Sequence, residues 1–473
     1  MTTHAPPQLS PQAFIDQNPM SRRQWLIVVL GLLMMVAEGI DTTVAAFVFP
    51  KIVDEWGTSL DAVTATVTLS VLAMAVGGMA AAPLADRYGR KGVTVAGIAL
   101  FGLGTASMGL TQGIGAFAGL RIAVCLGLGA VLPTVLALVA DWTPARRRGQ
   151  MVALAFTGIT AGSAVGGLLA AGFIPAFGWP MLMAVCGLAP LLLIPAVIRF
   201  IPESVSVLAA RNQPAKLRKA LATVLPGQDL SAVALDRTEA RRRARPATRV
   251  ILSREFALTN ALLWLCFVVG LGVVGLLLNY LPLLGERTGL TAAQAGVTVA
   301  AFGWGGLAGQ LSVSFALKRF DRFRLLAVLW GLSVLGLGAA AVWAVQFSAL
   351  LAAAFVLGLC LPAANNALQV IAAVAYPGSV RATGLSWASG MGRLGALVSG
   401  LLGGLMVKAG WTMGTVLLVL AVPVALGIVA ALALRARSHV QQVQQTEPSS
   451  APQPPVTRAP QPVLPTLADQ GTR

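Results

Sequence analysis

Charged side chains are scarce in this sequence. Asp, Glu, Lys and Arg together form 11% of its 473 residues, whereas hydrophobic residues form 56%. A soluble domain carries about 25% charged residues, so this composition excludes an ordinary water-soluble fold and indicates that most of the chain lies in a bilayer. The 51 glycines agree with this, because small residues let membrane helices approach one another closely.

Metal-binding and redox-active side chains are also rare. Each cysteine lies in an apolar stretch without a CxxC or Cys/His cluster, and both histidines lie in polar tails: Cys125, Cys186, Cys266, Cys360, His4 and His439. We therefore expect no disulfide, no metal site and no cofactor. The sequence also has no nucleotide-binding loop and no nucleophile triad. An enzyme or a membrane sensor is thus the least favoured interpretation.

Long apolar stretches recur along the chain, each able to cross roughly 30 Å of hydrocarbon. They predict twelve transmembrane helices, near 24–48, 61–84, 92–111, 114–139, 149–173, 178–199, 257–281, 292–315, 323–344, 347–375, 381–405 and 411–435. The predicted fold is an all-α membrane protein of two pseudo-symmetric six-helix bundles. The predicted parts are a tail (1–23), the N-terminal bundle (24–199), a basic linker (200–254), the C-terminal bundle (255–435) and a disordered tail (436–473).

The loops between these spans alternate in charge. One side receives 29 of the 34 basic residues, whereas the other receives only Lys51, Arg287 and Lys408. The positive-inside rule therefore predicts that both termini and the linker lie in the cytoplasm, as expected for a multi-pass protein of a bacterial inner membrane. The net charge of +17 then reflects orientation and contact with anionic lipid, and we expect no nucleic-acid partner. Residues 216–225 predict a short amphipathic surface helix in the linker.

The loop after the second predicted helix reads Asp86-Arg87-Tyr88-Gly89-Arg90-Lys91. Gly89 permits a tight turn, and Arg90 and Lys91 are close enough to pair with Asp86 or with neighbouring helix ends. Such a latch can close and release the cytoplasmic side, although a simple topology anchor is the alternative. The pattern resembles the helix 2–3 loop of the major facilitator superfamily, and Pro202-Glu203-Ser204 resembles the segment that follows helix 6 there.

Two acids lie inside the first predicted helix. Glu38 and Asp41 are three residues apart and share one helix face, about 20 Å or more along the span. An ionisable residue inside a membrane is expensive and is a functional candidate by default. We expect the pair to share and release a proton. The alternatives are that the acids lie at a wet helix end or pair structurally with an arginine.

This segment resembles the acidic helix 1 motif of the aromatic acid:proton symporter family, which includes hydroxyphenylpropionate- and benzoate-type members. The runs Gly127–Pro133 and Gly392–Ala396 are similar to the same family, although Cys125 stands where its motif has glycine. The resemblance implies a central cavity in which Arg121, Arg393, Asn279 and Asn366 bind substrate. Arg393 can hold a carboxylate bidentately, and its alternative is pairing with an acid.

We therefore expect a monomeric secondary transporter that takes up a small aromatic or related carboxylate together with protons. A proton-antiport exporter of drugs or metabolites is the first alternative. Exporters of the superfamily usually carry Gly-Pro in helix 5, whereas this chain has Gly162-Ser163, which favours import. An importer of another small solute, such as a sugar or a nicotinate-like acid, is the second alternative.

Overall fold

The structure, a computed structural model, describes residues 10–227, 251–254, 256–317, 319–343, 346–376 and 381–446. It is built from helices. In chain order these are α1 (Pro11–Gln17), α2 (Arg22–Trp56), α3 (Leu60–Tyr88), α4 (Arg90–Met108), α5 (Ile114–Trp142), α6 (Ala145–Leu191), α7 (Leu193–Phe200), α8 (Val205–Ala210), α9 (Pro214–Val224), α10 (Ala257–Arg287), α11 (Ala292–Ala316), α12 (Arg322–Val342), α13 (Phe347–Ala375), α14 (Arg381–Lys408) and α15 (Met413–Thr446).

The helices supply twelve membrane crossings, as predicted. Among the described residues, ten segments are long and apolar enough to span a bilayer, and one of them, Ala145–Phe200, is 56 residues long. That segment turns at Gly178, whose φ of +78° breaks the helix, so it crosses twice. The twelfth crossing is α11, whose glycines and two glutamines lower its hydropathy. Only helices satisfy their backbone groups internally in lipid, which explains this architecture.

Local signals in the sequence fix several helix ends. Ser21 and Thr291 each form a capping box with the glutamine three residues later, at the start of α2 and α11. Gly57 ends α2 with a φ of +61°, a conformation that glycine adopts without strain. The chain can therefore reverse direction after α2 within three residues, because α3 is capped by Ser59.

The two bundles repeat one packing arrangement. In the N-terminal bundle (α2–α7), Gly158 and Gly162 of α6 lie so close to α2 that an added methyl group would overlap its backbone. In the C-terminal bundle (α10–α15), a methyl group on Gly395 of α14 would overlap the backbone of α10, and one on Gly403 would overlap the ring of Tyr280. The repeated small residues thus mark matching helix pairs in the two halves.

Three segments outside the crossings differ from the prediction. The N-terminal tail contains α1, because Ser10 caps it and Phe14 and Ile15 are buried. In the linker, the predicted amphipathic helix is α9, but Leu217, Leu221 and Val224 are buried in the protein and are not left for lipid. Helix α15 continues to Thr446, beyond the predicted end at 435. The disorder predicted beyond that point lies outside the described residues.

The bundles meet along the pairs α2–α10, α3–α14 and α6–α11. We call the end that carries both termini and the basic loops the basic face, and the other end the opposite face. Close approaches between bundles lie towards the opposite face, where Gly404 meets Thr64 and a methyl group on Gly296 would lie 2.7 Å from Gly167 O.

Candidate functional site

Asp41 of α2 is held in a buried ion pair inside the N-terminal bundle. Arg121 Nη1 of α5 donates to Asp41 Oδ2 over 2.6 Å, and the Thr105 hydroxyl of α4 donates to Asp41 Oδ1. Asp41 is 1% exposed and Arg121 is 6% exposed. Both carboxylate oxygens are therefore occupied, and the structural pairing that the sequence left open for Asp41 is present.

Glu38 lies one helical turn before Asp41 but has a different environment. It is also 1% exposed, yet its buried Oε2 atom has no hydrogen-bond partner among the described residues. The cation that acts on it through space is Arg393, which belongs to the other bundle, and Asp41 repels it. Leaving a buried polar atom unsatisfied costs about 1–3 kcal/mol. A proton or a hydrogen-bonding ligand would therefore be stabilised at Glu38.

Arg393 of α14 reaches from the C-terminal bundle to the N-terminal one. Its guanidinium fills the space beside Gly78 of α3, where an added methyl group would overlap Nη1 and lie 3.5 Å from Cζ. The side chain is half-buried and forms no hydrogen bond within the described part of the chain. Its planar set of N–H donors is thus unused and suits a carboxylate ligand.

The two asparagines predicted to bind substrate are placed differently. Asn279 of α10 donates to Gly275 O of its own helix over 2.7 Å, so its amide is already engaged. Asn366 of α13 is half-buried, and the described residues offer it no hydrogen bond. Its neighbour Asn365 donates to Gly270 O over 3.4 Å and joins α13 to α10. Of these amides, Asn366 is the one available to a ligand.

Two tryptophans stack on each other between α10 and α14. The ring centroids of Trp264 and Trp387 are 5.9 Å apart and the ring planes differ by 16°. Trp387 is 38% exposed, so one edge of the pair remains accessible. The pair lies on the basic-face side of Arg393, because residue 387 precedes residue 393 in a helix that begins at that face.

The loop between α3 and α4 takes part in a polar network at the basic face. Arg90 Nη1 donates to Asp141 Oδ2 of α5 over 2.6 Å, and the hydroxyl groups of Ser204 and Ser206 donate to the same oxygen. Asp86, which the sequence offered as a partner for this loop, is exposed at the end of α3. The expected pairing of Arg90 with Asp86 is therefore absent, because α3 directs Asp86 outward, and the neighbouring helix end supplies Asp141.

A second carboxylate, that of Glu203 in the linker, contacts Gly89 and Lys91. Gly89 has a φ of +94°, and a methyl group there would overlap Glu203 Oε2. The Lys91 amide donates to Glu203 Oε1 over 3.2 Å, while Lys91 Nζ donates to Ile198 O over 2.6 Å. A carboxylate at a helix N-terminus is favoured by the helix dipole, so Glu203 fixes the start of the linker on α4.

At the opposite face, two ion pairs join the bundles. Lys51 at the end of α2 lies 3.3 Å from Glu286 of α10, and Lys408 at the end of α14 lies 2.8 Å from Asp61 of α3. The Lys408 and Asp61 side chains are 58% and 67% exposed. Separation of the bundles at this face would break both pairs. Two of the three basic residues that the sequence placed on this side thus connect the halves.

The sequence did not identify several residues that contact the predicted site residues. Thr105, Asp141 and Gly78 were not singled out as site residues, although each contacts one that was. A threonine in an apolar helix gives no signal that distinguishes a ligand of Asp41 from a hydroxyl bonded to its own helix. Glu203 was noted only as part of a motif, and its contact with Gly89 follows from the position of the linker.

Within the described part of the chain, Glu38 Oε2 has no hydrogen-bond partner and the Arg393 guanidinium forms no hydrogen bond, and the two residues belong to different bundles. Glu38 can accept and release a proton, and Arg393 can receive an anionic oxygen ligand. The Asp41–Arg121 pair is neutral as a unit and belongs entirely to one bundle. Such a site changes its charge when a proton or an anion enters, and it lies between parts that can move relative to each other.

Comparison with known proteins gives concordant results. The family model of the Major Facilitator Superfamily matches residues 31–341 and, in a second match, 263–468. The 4-hydroxybenzoate transporter PcaK of Pseudomonas aeruginosa is 34% identical over 439 residues, which cover 91% of this chain and 97% of that protein. The gallate transporter of Pseudomonas putida is 32% identical, over 90% of this chain and 94% of that protein.

A solved structure shows the same fold. It is described as the inward open conformation of the xylose transporter XylE from E. coli, and it aligns with a TM-score of 0.67. The alignment covers 87% of this chain and 95% of that one at 17% sequence identity.

Proposed function

Because this chain belongs to the major facilitator superfamily, and is thus a secondary transporter and not an enzyme, we propose that it couples uptake of an aromatic carboxylate to protons. The observation that carries the proposal is that Glu38 Oε2 has no hydrogen-bond partner among the described residues, while Arg393 of the other bundle acts on Glu38 through space. Transporters of this architecture bind substrate near mid-membrane between their halves, where rocking exposes the site to each side in turn.

The substrate class follows from two supports. The relatives named above carry 4-hydroxybenzoate and gallate, which are both small aromatic carboxylates. The site offers Arg393 as a bidentate carboxylate ligand and Asn366 as a hydrogen-bonding group. Arg121 contributes through Asp41, to which it is bound, and Asn279 contributes once its amide leaves Gly275 O.

Glu38 carries the transported proton. With the site open to the proton-rich side, Glu38 is protonated and the substrate carboxylate binds Arg393 without repulsion from a second anion. On the other side, loss of the proton leaves two carboxylates competing for one guanidinium, and the substrate leaves. Asp41 keeps its ion pair with Arg121, so the charge of this pair stays the same throughout the cycle. The charge of the site thus changes only at Glu38 and at the ligand.

The basic face lies in the cytoplasm of a bacterial cell, and the protein acts as a monomer in the inner membrane. The loop distribution of basic residues supports this orientation. Asp86, Gly89, Arg90 and Lys91 then form, together with Asp141 and Glu203, the gate on the cytoplasmic side. The two cross-bundle ion pairs at the opposite face hold the outer side closed.

The test is uptake of radiolabelled compounds into proteoliposomes with an imposed pH difference. The panel contains 4-hydroxybenzoate, gallate, benzoate, a phenylpropionate, nicotinate and xylose, each with and without a protonophore. We expect accumulation of one or more aromatic carboxylates that the protonophore abolishes. Accumulation of xylose alone would contradict the substrate class, and substrate loss driven by an inward proton gradient would identify an exporter.

A further inference from the structure

Two consecutive glycines of α3 face different neighbours. A methyl group on Gly77 would lie 2.9 Å from the carbonyl carbon of Leu126 and 3.1 Å from its Cα, which are backbone atoms of α5. A methyl group on Gly78 would overlap Nη1 of Arg393, which is the far end of a flexible side chain of α14. Gly77 therefore permits helix packing within one bundle, whereas Gly78 leaves room for a side chain of the other bundle.

This difference separates the consequences of adding a methyl group. The Leu126 backbone cannot move without moving α5, so alanine at position 77 strains the bundle. The Arg393 guanidinium can move by rotation of its side chain, at little cost in packing. The remaining neighbour of position 78 is Gly129 O at 3.3 Å, which needs a shift of a few tenths of an ångström. Alanine at position 78 therefore displaces Arg393 and leaves the fold in place.

Little else fixes the guanidinium. Within the described part of the chain it forms no hydrogen bond, and its attraction to Glu38 acts at a distance. We propose that Gly78 is a positioning residue that seats the Arg393 guanidinium at the bundle interface, and thereby sets the affinity for the carboxylate group of the substrate. The proposal rests on the proposed function, in which Arg393 binds that carboxylate.

The contact between Gly78 and the Arg393 guanidinium joins the two bundles. Gly78 lies on α3 and Arg393 on α14, and these helices also meet nearer the opposite face, where a methyl group on Gly400 would lie 3.5 Å from Val67. When α3 and α14 separate, the guanidinium loses the surface that holds it. The bidentate geometry of Arg393 is therefore complete only while the two helices are in contact at this depth, which ties carboxylate affinity to the position of the bundles.

The experiment compares Gly78→Ala with Gly400→Ala. Gly400 lies in the same helix pair, but its added methyl group makes an ordinary van der Waals contact, so this variant controls for a general effect on the interface. Uptake of the best aromatic carboxylate is measured at varied concentration in proteoliposomes, with abundance determined for each variant. We expect Gly78→Ala to raise the half-saturating concentration about tenfold, equivalent to about 1.4 kcal/mol, while Gly400→Ala stays within about twofold.

A double-mutant cycle tests whether the effect passes through Arg393. In the Arg393→Lys background the bulky guanidinium is gone, so Gly78→Ala should change the half-saturating concentration by less than about twofold. Independent, multiplicative effects of the two substitutions would overturn the proposal, as would a Gly78→Ala protein with normal abundance and unchanged affinity. Loss of the protein from the membrane in both backgrounds would also overturn it, because a movable guanidinium could not then be the obstacle.

The same measurements separate a failure of the proposed function from a failure of the proposed role of Gly78. If wild type and Gly400→Ala take up no aromatic carboxylate, the proposed function fails and this inference fails with it. If wild type, Gly400→Ala and Gly78→Ala all take it up with the same affinity, only the proposed role of Gly78 is wrong. A competition series with the primary amide of the substrate adds a second readout, because Gly78→Ala should lower the preference for the carboxylate over the amide.

Discussion

Charged groups inside one bundle differ from charged groups that face the other bundle. Inside the N-terminal bundle, Asp41 is paired with Arg121, and Arg90 is paired with Asp141, each at 2.6 Å. Between the bundles, Glu38 lacks a hydrogen-bond partner at Oε2. Of the two cross-bundle ion pairs described at the opposite face, Lys408–Asp61 is exposed, whereas Lys51–Glu286 is half-buried.

The difference follows from what must move. A pair within one bundle travels as part of a rigid unit and never has to break, so it can be buried and tight. A contact between bundles must be broken and remade in each transport cycle, and a buried pair that lost its partner would cost several kcal/mol each time. In agreement with this, Glu38 Oε2 has no hydrogen-bond partner among the described residues, and the Lys408–Asp61 pair lies in water, where an ion pair is weak.

We expect the largest effect from Asp41→Asn, which breaks the buried Asp41–Arg121 pair inside the N-terminal bundle. Removal of the carboxylate leaves Arg121 charged and buried, which costs about 3–5 kcal/mol when one partner of a buried pair is deleted. We expect a large fall in the amount of folded protein in the membrane, measured by abundance and by thermal unfolding in detergent. Asp41→Asn combined with Arg121→Gln should recover much of this loss, and normal stability of the single variant would contradict the buried pairing.

Glu38→Gln tests the acid that the proposal places between the bundles. Because Glu38 has no ion-pair partner within hydrogen-bonding distance, we expect abundance and thermal unfolding to stay near wild type. Accumulation driven by a pH difference should be lost, since glutamine cannot release a proton, while exchange of substrate without a gradient persists. Asp54→Asn, which removes an exposed acid of the same helix, serves as the control. Full accumulation by Glu38→Gln would remove it from proton coupling.

At the basic face the contrast lies between Arg90 and Asp86. Arg90→Ala removes the partner of the half-buried Asp141 carboxylate and should slow transport several-fold. Asp86 is exposed, so Asp86→Asn should have the smaller effect. The measurement is the initial uptake rate divided by abundance for both variants. A larger effect of Asp86→Asn would show that the gate uses a contact other than the Arg90–Asp141 pair.

The smallest effect is expected at the cross-bundle pairs of the opposite face. Exposed ion pairs are worth about 0.2–1 kcal/mol, so Lys408→Gln, which removes the exposed pair, should shift the equilibrium between the two states by up to about fivefold, and Lys51→Gln is measured beside it. A cysteine introduced by Thr68→Cys, at the α3–α14 contact, reports opening through its rate of alkylation. High salt should accelerate alkylation of the otherwise unchanged protein and reduce the difference. Equal rates in low salt would show that these pairs do not hold this face closed.

The sequence by itself determined the class of the protein. The twelve crossings follow from the lengths of the apolar stretches, because a bilayer requires about twenty apolar residues per helix, and the structure confirms them. The loop motif and the acidic first helix indicated the superfamily and an aromatic-acid relative, and the comparisons confirm both.

Only the tertiary structure decided which partner each charged residue has. From the sequence, Glu38 and Asp41 were equivalent acids one turn apart, and Gly77 and Gly78 were equivalent glycines. Gly77 and Gly78 are adjacent and therefore point in different directions, whereas Glu38 and Asp41 share a face but lie one turn apart, where different side chains surround them. Which position points where depends on how helices distant in sequence pack. No local pattern records that packing, because it results from the whole set of contacts within and between the two bundles.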